Sequence, residues 1–243
     1  MTEEIILLNS IGMYFELIII ILAIILLILI LQKYISKRHN LTKLLFIIFI
    51  LYFLAITFSW ISKILVVIQF DYLSIDPFSR WFLYRLSDFR LSEFLVTIAI
   101  GLSYILKVRL FQEDYNTWQK WIVIVYGGFT AVYSFMIYER NNTLLDIFAF
   151  LAVFVYMMMI YLPFLLRAIQ FYREVDEREF KMGFLGLAVM SVGFILIFLG
   201  FAIDRVLILL GSPGFTFFYF MGWSSGIIGI FGAYIGYIRP KSS

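Results

Sequence analysis

Long apolar runs separated by short polar connections dominate this chain. A helix that crosses a bilayer needs about 20 mostly apolar residues. Seven stretches meet or approach that requirement: roughly 14–31, 44–64, 80–106, 121–138, 144–166, 182–203 and 215–238. The pattern predicts an all-α, polytopic membrane protein, with residues 1–243 forming a single seven-transmembrane-helix bundle. The connections are too short for a separate soluble domain.

The third stretch is the irregular one. Only 13 residues separate Glu93 from Lys107. At the helical rise this is roughly 20 Å, against a hydrocarbon core of about 30 Å. The helix must therefore draw its outer turns from the preceding segment, "RLSDFRLSEF", a pentapeptide written twice over residues 85–94. Asp76-Pro77 reads as its start, since Asp is a good N-cap and Pro is tolerated at the first helical position. Counting back about 20 residues from Lys107 places the outer boundary near Ser87 and Glu93 roughly 9 Å beneath it. Arg85 and Asp88 are three apart, as are Arg90 and Glu93, so each pair shares a helical face. A shift of five residues turns the helix by about 140°, so the pairs point in different directions. Lys63, Asp146 and Asp204-Arg205, at the outer ends of their own spans, are the expected partners. By this count the repeat carries the only charges forced below the surface. Three uses compete: self-neutralised interfacial pairs, an outward polar pocket for a ligand or ion, and a conduction path. A path needs polar groups further in, where only Thr97, Ser103 and Tyr104 follow.

Charge sets the orientation. The first, third and fifth connections and the tail (Arg239, Lys241) hold 13 of the 19 basic residues. Lys and Arg favour the cytoplasmic side. The amino terminus is thus expected outside, the carboxyl terminus in the cytoplasm, and the protein in the cell membrane. Trp118 and Trp121 mark the inner edge of the fourth span, and Trp60 and Trp81 lie near the outer edge. The acidic start, "MTEEII", does not read as a cleaved signal.

Composition narrows the chemistry. The chain is 63% hydrophobic and 14% charged, against about 45–50% and about 25% in soluble domains. It has no cysteine and one histidine, His39. This excludes disulfides, thiolate sites and metal or haem sites built on several histidines. No membrane lysine sits where a retinal Schiff base needs one. Ser224-Ser225 in "GWSSG" has no base in reach, and Asp88 has no deep aspartate partner. Phosphate-binding glycine loops and nucleic-acid patches are absent. No catalytic residue, cofactor or metal is expected.

The glycines have another pattern. Gly186, Gly193 and Gly200 recur at seven-residue intervals in the sixth span, and Gly222, Gly229 and Gly236 do so in the seventh. Seven residues make almost two turns, so each set is a smooth stripe. Small residues let membrane helices approach closely. The two stripes are expected to face each other across the "GSPG" turn, a dimer contact being the alternative. Pro163 marks a kink in the fifth span, and "QFYREVDEREFK" a solvated helical extension or a docking site.

Seven helices with an outside amino terminus resemble, in topology, rhodopsins, G-protein-coupled receptors and prokaryotic seven-helix sensor modules. The chain has "KVRLFQ" where a "DRY"-like triplet would stand, and no "NPxxY". The topology implies a non-enzymatic receptor- or sensor-like protein. Its candidate ligand-binding residues are Lys63, Arg85, Asp88, Arg90, Glu93, Asp146 and Asp204. The expected partners are the lipid bilayer, a cytoplasmic or membrane protein that takes the signal, and a small ligand or ion. A small transporter or channel and a structural membrane subunit are the other classes.

Overall fold

The structure, a computed structural model, describes residues 3–112, 116–140 and 142–238. Arg239 and Lys241, counted in the charge bias, lie outside the described residues. The described residues form eight α-helices: α1 (Glu3–Lys37), α2 (Asn40–Val67), α3 (Pro77–Ser87), α4 (Arg90–Leu110), α5 (Thr117–Met136), α6 (Thr143–Glu174), α7 (Arg178–Leu209) and α8 (Phe217–Ala233). A wider π-helical turn, Tyr234–Ile238, continues α8. Six segments are long and apolar enough to cross a membrane: α1, α2, α4, α6, α7 and Phe217–Ile238. This is the pattern of an all-helical multi-pass membrane protein. The expected fourth span corresponds to α5, whose polar start "TWQK" dilutes its apolar run.

The helices begin where the chain supplies caps. Asp76 accepts from the Ser79 N–H at 2.9 Å, with Pro77 opening α3. That N–H holds the exposed Asp76 carboxyl below the usual carboxylate range. Asn116 caps α5 through the Trp118 N–H, and Asn142 caps α6 through the Leu145 N–H. The charged segment before α7 is helical except at residues 175–177.

The single helix expected over 80–106 is corrected by a break. α3 stops at Ser87, and Phe89 adopts a left-handed conformation with φ 64° before α4 starts at Arg90. A Cβ-bearing residue is strained there, by about 1–3 kcal/mol. Only the second pentapeptide therefore belongs to the long helix. The first closes a short helix that packs beside α2 and α4.

The bundle closes on itself. α1 packs on α2 and α8, α2 on α4, α4 on α5 and α6, α6 on α7, and α7 on α8. We call the end at which α4 begins the upper end. The interior is filled by aromatic and aliphatic side chains, with Phe194 of α7 against Phe49 and Tyr52 of α2 and Tyr161 of α6. A chain of hydroxyls crosses the middle: Tyr52 Oη lies 3.0 Å from Tyr161 Oη, which lies 2.9 Å from Ser103 Oγ. Thr97 and Ser103 donate to the backbone of their own helix.

The glycine stripes of α7 and of the α8 segment meet face to face. A Cβ on Gly193 would sit 2.7 Å from the Ser225 carbonyl oxygen and 2.8 Å from Gly229 Cα. On Gly186 it would sit 2.6 Å from Gly236 N, and on Gly200 2.6 Å from the Phe218 carbonyl oxygen. Backbone blocks backbone here, so no rotamer change relieves a substitution. Gly193→Leu is expected to destabilise the monomer by about 1–3 kcal/mol or more. Gly128→Leu, where an added Cβ meets nothing within 4 Å, should melt like the parent in detergent. Unchanged melting of Gly193→Leu with a shifted oligomeric state would assign the stripe to a dimer contact instead.

Candidate functional site

The upper end gathers most of the charge that the bundle buries. Glu16 of α1 is fully buried and Lys63 of α2 is 2% exposed. Lys63 Nζ donates to Glu16 Oε1 at 2.7 Å and to Ser59 Oγ at 3.1 Å. Glu16 Oε1 also accepts from Ser59 Oγ at 2.7 Å and from Tyr219 Oη of α8 at 2.9 Å. Three helices are joined at one carboxylate oxygen. Lys63 lies four residues before the end of α2, yet its side chain is enclosed, with the Phe89 ring 4.6 Å from its Nζ.

A second cluster lies across α4. Arg90, fully buried, donates from Nη2 to Asp146 Oδ1 of α6 at 2.9 Å. It lies 3.6 Å from Glu93 Oε2, one turn further in. Among the described residues neither carboxylate oxygen of Glu93 has a hydrogen-bond partner. Ser134 of α5 stands opposite without a well-formed bond.

The first pentapeptide behaves differently from expectation. Arg85 and Asp88 form no pair, because the chain leaves the helix at Asp88 and carries its carboxylate off the shared face. Arg85 donates instead to the carbonyls of Phe135 and Trp81 at 2.9 and 3.2 Å, its guanidinium lying over the Trp81 ring. Asp88 accepts from Tyr138 Oη at 2.6 Å. Asp204 has a local duty. Its Oδ1 accepts the Thr216 N–H at 2.9 Å and the Thr216 hydroxyl at 2.7 Å, which fixes the start of α8.

Some of these groups border a partly open cavity of about 190 Å³. Two cations, Lys63 and Arg205, and three carboxylates, Asp88, Asp146 and Asp204, face it. Of the seven residues singled out from the sequence, the cavity brings together Lys63, Asp88, Asp146 and Asp204. Arg85 is turned toward α5, and Arg90 lies behind Asp146. Glu93 lines a second, apolar cavity of about 80 Å³ deeper between α1, α2, α4, α6, α7 and α8. Phe89 borders both. Its ring also takes the Arg205 guanidinium at 5.4 Å, so the strained residue between the two helices lies between the polar cavity and the mostly apolar one. Among the described residues no group of three or more His, Asp or Glu is placed to hold a metal ion.

Sequence reasoning missed Glu16, Ser59, Tyr219 and Phe89. Glu16 did leave a signal, as the only charge inside the first apolar run. Its partner is 47 residues away, a distance no helical spacing rule reaches.

Removing one member of a buried pair strands the other, at about 3–5 kcal/mol. Lys63→Met should therefore lower thermal stability in detergent sharply, and Lys63→Met with Glu16→Leu should recover most of the loss. A double variant no more stable than the single one would mean that the pair does not govern the upper end.

Comparison with known proteins supplies no relative: no family model matches the chain, and no curated protein or solved structure matches it significantly.

Proposed function

We propose that this is a non-enzymatic seven-helix protein of the cell membrane, receptor- or sensor-like. In this reading the upper end faces outside and its polar cavity receives a small ionic or zwitterionic ligand. α5 serves as the seventh crossing, packed between α4 and α6 with its last turn beside Arg85. The excess of basic residues at the opposite end supports the orientation.

One observation carries the reading: charged side chains of both signs converge on one cavity from α2, α6, α7 and the α3–α4 break. Charge inside a membrane protein is expensive, and where it is retained it marks a site by default. Arg205 strengthens the case. It has cation–π contacts to Phe89 and Phe150, at 5.4 and 5.3 Å, and among the described residues no carboxylate within salt-bridge range. It is the natural partner for an anionic group of the ligand, while Asp88 suits a cationic one.

Ligand reception is favoured over conduction because the polar cavity ends at Phe89 and the lining beyond it is mostly apolar. Beyond it Glu93, Ser59, Ser92 and Tyr52 are the polar members of a largely apolar lining, Thr97 donates to its own helix, and Ser103 is shared between its own helix and Tyr161. The glycine stripes are covered by each other, which removes the flat lipid-facing surface expected of a structural subunit. A signal leaves through a separate partner at the opposite end.

The test is a thermal-shift screen of the purified protein against small ions and zwitterions. A compound that stabilises the parent should lose its effect in Arg205→Gln and Asp88→Asn and keep it in Lys120→Gln, at the far end. Shifts indifferent to Arg205 and Asp88, or ion flux through protein-loaded liposomes, would overturn the reading.

A further inference from the structure

A larger opening lies on the flank of the bundle, away from the charged cavity. It is a groove of about 520 Å³ between α4 and α5. Its floor is Tyr156 of α6, whose hydroxyl donates to the Val123 carbonyl at 3.1 Å. Two glycines let that ring lie between the helices. A Cβ on Gly127 would fall 2.4 Å from Tyr156 Oη, and one on Gly101 3.0 Å. The ring thus substitutes for the side chains that would otherwise close the α4–α5 seam. Ile98 and Leu102 on one wall and Ile124 and Ala131 on the other leave the slot apolar. Gly128 faces it with no atom within 4 Å of an added Cβ.

The groove is charged at one end only. Arg109 of α4 and Lys120 of α5 line its lower end. Both are exposed, and among the described residues neither has a carboxylate within salt-bridge range. Trp118 and Trp121, 81% and 58% exposed, stand on the same turn as Lys120. Exposed tryptophans settle at the headgroup level of a bilayer, which puts the two cations at the depth of the phosphates. From Arg109 to Ile98 the helix rises about 17 Å, close to one leaflet of a core about 30 Å thick. An apolar slot one leaflet deep, with two cations at its mouth, complements an amphiphile with an anionic head.

We propose that the α4–α5 groove is a binding site for an acidic phospholipid. The phosphate lies between Arg109 and Lys120, and one acyl chain runs past Gly128 toward Ile98. Basic pockets between transmembrane helices on one side of a membrane recognise acidic headgroups in this way. The site shares no residue with the upper cavity.

Native mass spectrometry of the detergent-purified protein tests this, with dioleoyl-phosphatidylglycerol and dioleoyl-phosphatidylcholine as the added lipids. The parent should retain the acidic lipid in preference. Arg109→Gln with Lys120→Gln should reduce that preference roughly tenfold or more. Gly128→Phe should fill the slot and lower retention of both lipids at an unchanged melting temperature. Equal retention of the two lipids by the parent, or an acidic-lipid complex that survives both variants, would overturn the proposal.

Discussion

The upper half of this bundle depends on one buried ion pair. Glu16 and Lys63 are both removed from solvent and meet at 2.7 Å. Removing two charges from water costs several kcal/mol each, and their attraction repays it only when geometry is good and further hydrogen bonds are made. Ser59 and Tyr219 supply those bonds. The pair therefore holds α1, α2 and α8 in register, since any slip would leave a carboxylate or an ammonium in apolar surroundings. Its second carboxylate oxygen, with no hydrogen-bond partner among the described residues, indicates how closely the three helices seal around it.

From that anchor the rest of the charged end follows. With Lys63 held by Glu16, its ammonium also faces Phe89, Phe215 and Tyr219. Arg90 makes the equivalent tie on the other side, joining α4 to α6 through Asp146. Between the two ties the chain breaks at Phe89, and the break does two things. It ends α3 early enough for Asp88 and Arg85 to turn toward the end of α5, and it places the Phe89 ring against Lys63, Arg205 and both cavities. That ring borders both the polar cavity and the mostly apolar one, and among the described residues Glu93 is the charged group that lines the inner one.

Much of the architecture was legible from periodicity alone. Apolar run lengths anticipated the long helices and capping chemistry the Asp76-Pro77 start of α3, whereas the three-residue break before α7 fell inside a segment expected to be a helical extension. The seven-residue glycine spacing anticipated a smooth face on α7 and another on α8, which the structure brings into contact. The doubled pentapeptide was legible as an anomaly but not as a break. Nothing local marks Phe89 as left-handed, since glycine and asparagine carry that preference and phenylalanine does not. The partners of Arg90 and Lys63 lie 56 and 47 residues away. The common depth of the span ends pointed to Asp146 as a partner for the repeat, but spacing rules that work within a helix are silent about Glu16 as the partner of Lys63. The lateral groove was invisible for a related reason: it arises where a tyrosine of α6 reaches between two other helices.

The tie between α1 and α2 also has a consequence for synthesis. As the chain leaves the ribosome, Glu16 enters the membrane with no countercharge until α2 follows, so the first two helices are best accommodated as a hairpin that is already neutral. Arg90 waits in the same way for Asp146. Tyr219 emerges 203 residues after Glu16, so the last bond to that carboxylate forms only when the final helix docks. A nascent chain stalled before α8 holds neutralised charges but has no finished chamber, and the charged end matures in the order in which its helices are translated.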